Sequence, residues 1–135
     1  MNWKYVQPLE SESSIKEFEE KYGFEFPESF MDIVKNYNGA YPEINVFDTD
    51  KTKECVFEYL LSFNKEDDTN IWQIAEWNSN ELGNEYIAFA ADPFGNLICF
   101  SVSDKSVVFM NMETLSTEKI AENFSCFLNK LYAVD

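Results

Sequence analysis

The feature that most constrains the fold is a hairpin made of two apolar segments, EYIAFAA and LICFSVS, on either side of a short turn. The turn, DPFGN, begins with Asp92 and carries proline second and glycine fourth. Aspartate can hydrogen-bond the turn backbone, proline presets its own φ, and glycine accepts the left-handed conformation that closes such turns. The segment VVFMNM supplies a further strand, so residues 85–112 are predicted to form a three-stranded antiparallel meander.

Two helices are predicted before these strands, because apolar residues near the N-terminus recur with a helical period. A capping box that starts at Ser14 and a glycine stop at Gly23 place the first helix over residues 14–22. Pro27 suits the first turn of the second helix, which an Asn-Gly pair ends. The aromatic corner between the helices, YGFEFPESF at residues 22–30, is interpreted as core that fills the gap between helices and sheet, and not as a binding site.

After the second helix the apolar period changes to two, which is typical of strands. INVF and ECVFEYLLSF are both predicted to be strands, and NKEDDTN to be a polar loop. The second strand is predicted to place Glu58 on one side and four apolar or aromatic residues on the other: Cys55, Phe57, Tyr59 and Leu61. The segment NIWQIAEWNSNELG is predicted to hold a short helix that turns Ile71, Ile74 and Ala75 inward.

The C-terminal segment is predicted to be a helix capped at Ser116 or Thr117. Its apolar residues recur at helical spacing: Ile120, Phe124, Phe127, Leu128 and Leu131. The order of helix, helix, strands, short helix, strands and helix is typical of an α+β fold with helices packed against an antiparallel or mixed sheet. A chain of 135 residues fits one domain, residues 1–135, which can bury a sizeable core by itself.

The charge balance is strongly acidic: 25 acidic residues stand against 10 basic ones, giving a net charge of -15. Every basic residue is a lysine. A field of this sign repels nucleic acid and anionic membranes and speeds the encounter with basic proteins. We therefore expect a basic protein partner, no nucleic acid and no membrane, although acidity that serves solubility alone remains the alternative.

The residues needed for common enzyme chemistry are missing, since the chain has no histidine, no arginine and no glycine-rich phosphate loop. We expect no catalytic site, no metal and no cofactor. The alternative is a hydrolase that binds metal through carboxylates, and DTDKTKE, with Asp48, Asp50 and Glu54, superficially resembles a calcium loop. This segment lacks the glycine that such a loop needs at its sixth position, which favours a solvated connection.

Three separated cysteines, Cys55, Cys99 and Cys126, lie in apolar surroundings. They are predicted to be reduced core residues and not a disulfide framework or a metal site. No window approaches the ~18 apolar residues of a membrane span, and the first residues lack the apolar segment of a signal peptide. We expect a cytoplasmic protein.

The candidate binding surface follows from a gap in the basic residues, because none lies between Lys65 and Lys105. Aromatic residues beside charges are typical of interface anchors, and two tryptophans lie in this span. The candidate residues are carboxylates and one tryptophan: Asp48, Asp50, Asp67, Asp68, Trp72, Glu76, Glu81, Glu85 and Asp92. The alternative is that one tryptophan belongs to the core and that the carboxylates are merely solvated.

Four segments in succession resemble the SUKH superfamily, the Smi/Knr-like domains of bacterial immunity proteins and of a fungal cell-wall regulator. The segments are IKEFEEKYGFEFPESFMDIVKNYNGAYP, EYIAFAADPFGNLICF, the VVF strand and FSCFLNKL. The positions that match family motifs lie in the helix corner, the NG pair and the strand-turn segment: Tyr22, Gly23, Phe26, Pro27, Phe30, Asn38, Gly39, Phe89, Asp92, Gly95 and Asn96. Phe26 stands where many members carry leucine.

The resemblance implies a Smi/Knr-like fold and a binding function without catalysis. Bacterial members look like antidotes that are made beside polymorphic toxins, often nucleases, and held in the cytoplasm of the producing cell. We therefore expect an immunity protein that neutralises a basic cognate toxin and is a monomer, with a weak dimer as the alternative state. An intracellular scaffold or regulatory module, as the fungal members suggest, is the alternative function.

Overall fold

The computed structural model describes residues 1–134, apart from the side chain of Leu82. The described residues form an α+β fold with four helices. These are α1 (Ser13–Tyr22), α2 (Glu28–Tyr37), α3 (Ile71–Leu82) and α4 (Phe124–Lys130). In this part of the chain, no helix combines the length and apolar character required to cross a membrane.

Nine strands occur in the described residues. They are β1 (Trp3–Lys4), β2 (Tyr41–Pro42), β3 (Val46–Phe47), β4 (Cys55–Val56), β5 (Tyr59–Leu60), β6 (Tyr86–Ala91), β7 (Leu97–Ser101), β8 (Val107–Met110) and β9 (Thr117–Ala121). The main sheet is antiparallel with the order β5-β6-β7-β8-β9, and two short ribbons pair β1 with β2 and β3 with β4. The predicted meander is confirmed as β6, β7 and β8, and β5 and β9 extend it on either side.

The centre of the main sheet is buried on both faces, since nearly every residue of β6, β7 and β8 is inaccessible to solvent. A register shift between Ala88 and Ala90 interrupts the β6–β7 ladder. At this bulge the Phe89 ring packs 4.4 Å from Phe100 and 5.4 Å from Phe30 on α2. The bulge therefore places a large ring where helix and sheet meet.

The corner between α1 and α2 is core, as predicted. Gly23 ends α1 with a φ of 64°, which glycine tolerates best. The backbone N–H of Phe26 donates to Glu19 Oε2 at 2.7 Å, which fixes the corner. Phe24, Phe26 and Phe30 are all buried.

Two predicted details of how these helices begin are wrong. The helix begins at Ser13, so Ser14 lies inside it, and Glu12 at the N-cap position makes no side-chain capping bond. Pro27 precedes α2 with extended ψ and does not lie in its first turn, although its carbonyl accepts from Phe30 N–H at 3.0 Å. The helices thus form through their apolar faces and without the capping box.

The predicted strand ECVFEYLLSF is two short strands. Cys55–Val56 pairs with β3, whereas Tyr59–Leu60 pairs with β6, so the chain changes partner between them. The predicted alternation fails at this change, because Tyr59 is half-exposed and Leu60 is buried. The partner strand and not the local period sets which side chains turn inward.

The C-terminal helix is shorter than predicted and has a different cap. Thr117–Ala121 is strand β9, because its backbone pairs with the free edge of β8. Asn123 caps α4 by accepting from Cys126 N–H at 2.8 Å, so Ser116 and Thr117 are not caps. Phe124 and Phe127 face the core as predicted.

The cysteine prediction is correct for two of three positions. Cys55 and Cys99 are buried and free, and burial raises the pKa of the Cys99 thiol. Cys126 is also free but lies on the exposed side of α4, so its placement in the core was wrong. Its neighbours Phe124 and Phe127 point inward, which turns Cys126 to solvent on a short amphipathic helix.

The predicted middle helix is confirmed as α3. Asn70 caps it by accepting from Gln73 N–H at 3.0 Å. Ile71 and Ala75 are buried, while Ile74 is half-buried. Asn78 is also buried, and among the described residues neither of its amide atoms has a hydrogen-bond partner.

Candidate functional site

The predicted acidic residues do not form one continuous face. Glu85 and Asp92 flank β6 at its two ends, which puts their backbones roughly 20 Å apart at the usual rise per strand residue. Asp68 and Asp92 lie near the same end, since both are close to Thr69 in neighbouring surface recesses. The predicted residues near the main sheet therefore lie at two opposite ends of it.

Two predicted residues, Glu76 and Glu81, are exposed on the outer face of α3. Trp72, one turn before Glu76, instead packs against the core and donates from its indole N–H to Phe63 O at 2.9 Å. Lys65 Nζ lies 4.3 Å from the Trp72 ring centroid. The chain thus covers this aromatic face with its own cation.

Asp67 belongs to a buried polar network. Its Oδ2 accepts from Ser62 Oγ at 2.5 Å and from Asn64 Nδ2 at 3.1 Å. Asn38 completes the network by donating to Ser62 Oγ at 2.9 Å and accepting from Phe63 N–H at 2.9 Å. Asp67 therefore organises the 62–67 segment, while its neighbour Asp68 stays exposed.

Asp92 shapes the hairpin turn. Its Oδ1 accepts from the backbone N–H groups of Phe94 at 2.9 Å and Asn96 at 2.7 Å. These bonds hold the turn so that the Phe94 ring is 83% exposed. Asp92 is itself buried, so its contribution to a surface is to display Phe94.

Asp48 and Asp50 lie beside a separate cleft of about 560 Å³, which also contains Lys119 and Lys130. Asp48 Oδ1 accepts from Tyr132 Oη at 2.6 Å and from Glu54 N–H at 2.9 Å. The bond from Tyr132, followed by that from Glu54, lowers the pKa of Asp48. The same bond, with burial second, raises the pKa of Tyr132 to about 12.

No group of three or more acidic, cysteine or histidine side chains suited to a metal ion occurs in the residues that the structure describes. Asp48, the first residue of the calcium-like segment, already uses Oδ1 to accept two hydrogen bonds. The segment around it is an ordered loop in which Thr49 Oγ1 accepts from Thr52 N–H at 2.8 Å.

The structure brings together three tyrosines that the sequence did not single out. Tyr5, Tyr41 and Tyr59 form a tyrosine ladder on the surface. The ring centroids of Tyr5 and Tyr41 are 5.5 Å apart at 89°, and those of Tyr41 and Tyr59 are 5.2 Å apart at 36°. Tyr5 is 75% exposed and has a φ of 59°, a conformation that costs a non-glycine residue about 1–2 kcal/mol.

The N-terminal strap, residues 2–10, holds the first tyrosine of the ladder in place. Gln7 N–H donates to Asn38 O, and Asn38 Nδ2 donates back to Gln7 O, both at 2.8 Å. Asn64 Nδ2 donates to Pro8 O at 2.9 Å, and Trp3 stacks on Tyr37 with centroids 5.9 Å apart. The same buried network therefore orders both the strap and the 62–67 segment.

The ladder has no local sequence signature. Its tyrosines come from the strap, from β2 and from β5, and these segments meet because Leu60 N–H donates to Ala40 O at 2.9 Å. The type of aromatic residue is the available signal. In the structure all seven tyrosines are at least partly exposed, while twelve of the thirteen phenylalanines, all but Phe94, are buried.

Comparison with protein families supplies the remaining assignment. A SUKH family model described as SMI1-KNR4 cell-wall matches residues 12–128, which is most of the chain. The match includes Tyr41 and Tyr59 of the ladder but not Tyr5. Comparison with curated proteins finds no match. Four helices with antiparallel sheets agree with the fold of that family, and the chain therefore belongs to the SMI1-KNR4 family of the SUKH superfamily.

Proposed function

We propose that this protein is an immunity protein that binds and neutralises a cognate toxin, such as a nuclease, in the cytoplasm of the producing cell. The observation that carries the proposal is the family match over residues 12–128, because the family includes immunity proteins. Binding alone suffices for this role, and the family is generally non-catalytic.

The charge of the chain supports a basic partner. The net charge is -15, and among the described residues two lysines lie within 4.0 Å of a carboxylate, in the pairs Lys53–Asp48 and Lys119–Glu122. Most carboxylates therefore contribute to the external field without a close counter-charge. Nucleases bind polyanions through basic surfaces, so opposite fields would steer the two proteins together.

We place the contact at the end of the sheet that carries the tyrosine ladder. Tyrosine and tryptophan are enriched among residues that dominate binding energy, whereas scattered surface carboxylates mainly affect the association rate. The ladder, the exposed Phe94 and the carboxylates Glu58 and Asp68 all lie at this end. The carboxylates of α3 and Glu85 then act at longer range.

An intracellular scaffold or regulatory module is the second candidate, since the matching family model is described as SMI1-KNR4 cell-wall and not as an immunity protein. A scaffold would bind several partners weakly, whereas an immunity protein binds one toxin tightly. Quantitative affinity measurements with candidate partners separate the two functions.

The test is to identify a toxin domain encoded by a neighbouring gene and to co-express it with this chain. We expect cells to survive, the purified proteins to form a one-to-one complex, and the association rate to fall steeply as salt is added. Death of the cells without any complex would contradict the proposed function.

The placement has its own test in paired charge reversals. Glu58→Lys with Asp68→Lys should slow association at low salt about 10-fold. The matched control, Glu81→Lys with Glu85→Lys, makes the same charge change at the end of α3 and the start of β6, away from the ladder, and should slow it much less. Equal slowing by both pairs would remove the placement while leaving the toxin-binding role intact.

A further inference from the structure

A recess of about 270 Å³ lies beside the tyrosine ladder. Its lining combines two aromatic rings, one carboxylate and several neutral groups: Gln7, Gly39, Tyr41, Tyr59, Leu60, Asp68 and Thr69. Pockets for small molecules usually measure ~300–1,000 Å³, so this recess suits a single side chain better than a cofactor.

The ladder rings differ from the Trp72 ring in their contacts with lysine. Lysine nitrogens lie 4.3 Å and 5.9 Å from the Trp72 ring, from Lys65 and Lys21 respectively. Over the ladder, no lysine of the described residues takes such a position. Within the same part of the chain, Tyr132 is the tyrosine whose hydroxyl bonds to another residue, and the three ladder hydroxyls bond to none. The ladder rings can therefore accept a cation from outside the chain, whereas the Trp72 ring already contacts Lys65.

Two carboxylates, Glu58 and Asp68, lie at the recess, and one lysine, Lys4, is the cross-strand partner of Tyr41. Burial, and then the charge of Glu58, raises the pKa of Tyr41. Asp68 is exposed and lies in no ion pair among the described residues. A cation placed between the rings and Asp68 would gain from both the ring faces and the carboxylate.

We propose that this recess accepts an arginine side chain of the basic partner, an inference that rests on the proposed function. A guanidinium group is planar, stacks on a tyrosine ring and donates a pair of hydrogen bonds to one carboxylate. A lysine ammonium is compact and strongly hydrated, so it uses a flat aromatic wall less well. The ring of Tyr41 supplies the wall, and Asp68 supplies the acceptor.

The first test needs no toxin. The ¹⁵N-labelled protein is titrated with Nα-acetyl-arginine methylamide up to ~10 mM, a range in which weak single-site contacts are detectable. The control ligand is the citrulline analogue, which has nearly the same shape without the charge. We expect amide shifts confined to the recess with arginine, their loss in Asp68→Asn and Tyr41→Leu, and their retention in Tyr41→Phe.

Two results would overturn the assignment. One is the absence of arginine-dependent shifts, and the other is shifts spread over the carboxylates of α3 and unchanged by Asp68→Asn. Glu85→Gln serves as the matched neutralisation at the opposite end and should leave the shifts in place.

The second test uses the cognate toxin domain that the proposed function requires. Asp68→Asn or Tyr41→Leu should raise the Kd by at least ~10-fold, whereas Glu85→Gln should change it little. Unchanged affinity in the two recess variants would overturn the assignment of an arginine to the recess and would leave the toxin-binding role standing. Failure of the wild-type chain to bind the toxin would overturn the proposed function, and the arginine titration would still decide the recess.

Discussion

Two groups of aromatic residues divide this molecule, one inside and one outside. The phenylalanines form a continuous interior in which Phe30 packs on Phe26, Phe89, Phe100 and Phe124 at centroid distances of 4.9–5.4 Å. The tyrosines lie at the surface, and the three of the ladder form contacts of similar length, 5.2 Å and 5.5 Å. The ring contacts are alike, and what differs is access to water.

The difference shows which rings hold the fold and which remain for a partner. A buried phenylalanine has no polar atom to satisfy, so it gains the full benefit of burial. A tyrosine keeps its hydroxyl in water while its ring offers contact area, which is why tyrosine is common at interfaces. Phe94 is the exception, because it is held at the tip of the hairpin turn near the ladder.

The largest expected effect is on the interior. Phe26→Ala removes a buried ring that contacts both Phe18 and Phe30, and should lower the free energy of unfolding by ~3–5 kcal/mol. Phe94→Ala, the matched control at an exposed ring, should change it by at most ~0.5 kcal/mol. Urea denaturation of both variants measures this, and similar losses would contradict the division into interior and surface rings.

The link between the two groups should come next. Asn38→Ala leaves Gln7 O and Phe63 N–H without a partner and should cost ~2–3 kcal/mol. It should also raise hydrogen exchange in the strap. Asn36→Ala, at an exposed position in the last turn of α2 two residues before Asn38, is the control and should have little effect. If the strap stays protected in Asn38→Ala, the network does not hold the ladder.

Asn78 allows the interior to be improved. Asn78 is 2% exposed, and its amide has no partner among the described residues. Asn78→Leu should therefore raise the free energy of unfolding by ~1 kcal/mol, because it removes the desolvation cost of the amide and improves helix propensity. Asn80→Leu, at an exposed position of α3, tests propensity alone. Thermal unfolding compares the two, and an equal or smaller gain for Asn78→Leu would show that burial of this amide is not costly.

The smallest effect concerns hydroxyl groups. Tyr132 donates to Asp48, whereas the ladder hydroxyls bond to none of the described residues, so Tyr132→Phe should raise the pKa of Asp48 toward its ordinary value. Because the folded-state pKa is lowered, Asp48 favours folding above its unfolded pKa of ~3.9 and loses this effect as pH falls through the lower value. Carboxyl NMR titration measures the shift, and Tyr41→Phe should cause none.

The parts of the fold that follow from local pattern were predictable. Asp92 and Gly95 specify the hairpin turn, and the aromatic corner between α1 and α2 specifies core. The start of α4 could not be predicted in this way. The spacing of Ile120 and Phe124 fits a helix, but Thr117–Ala121 pairs with the edge of β8 and forms a strand. Backbone pairing with a distant strand decided that segment.

For the candidate site, the sequence predicted the negative charge but not the positions of the residues. The span without lysine gave an acidic surface, but β6 separates Glu85 from Asp92 and the buried network takes up Asp67. The ladder escaped prediction because its rings come from residues 5, 41 and 59, which only the tertiary fold brings together.

The most direct test of the central claim is hydrogen exchange of this protein in complex with the cognate toxin that the proposed function requires, compared with the free protein. The claim predicts new protection in the strap, around Tyr41 and Tyr59, and in the 66–69 and 92–96 segments. Protection confined to α3 and to the Glu85 end of β6, with the ladder segments unchanged, would contradict it.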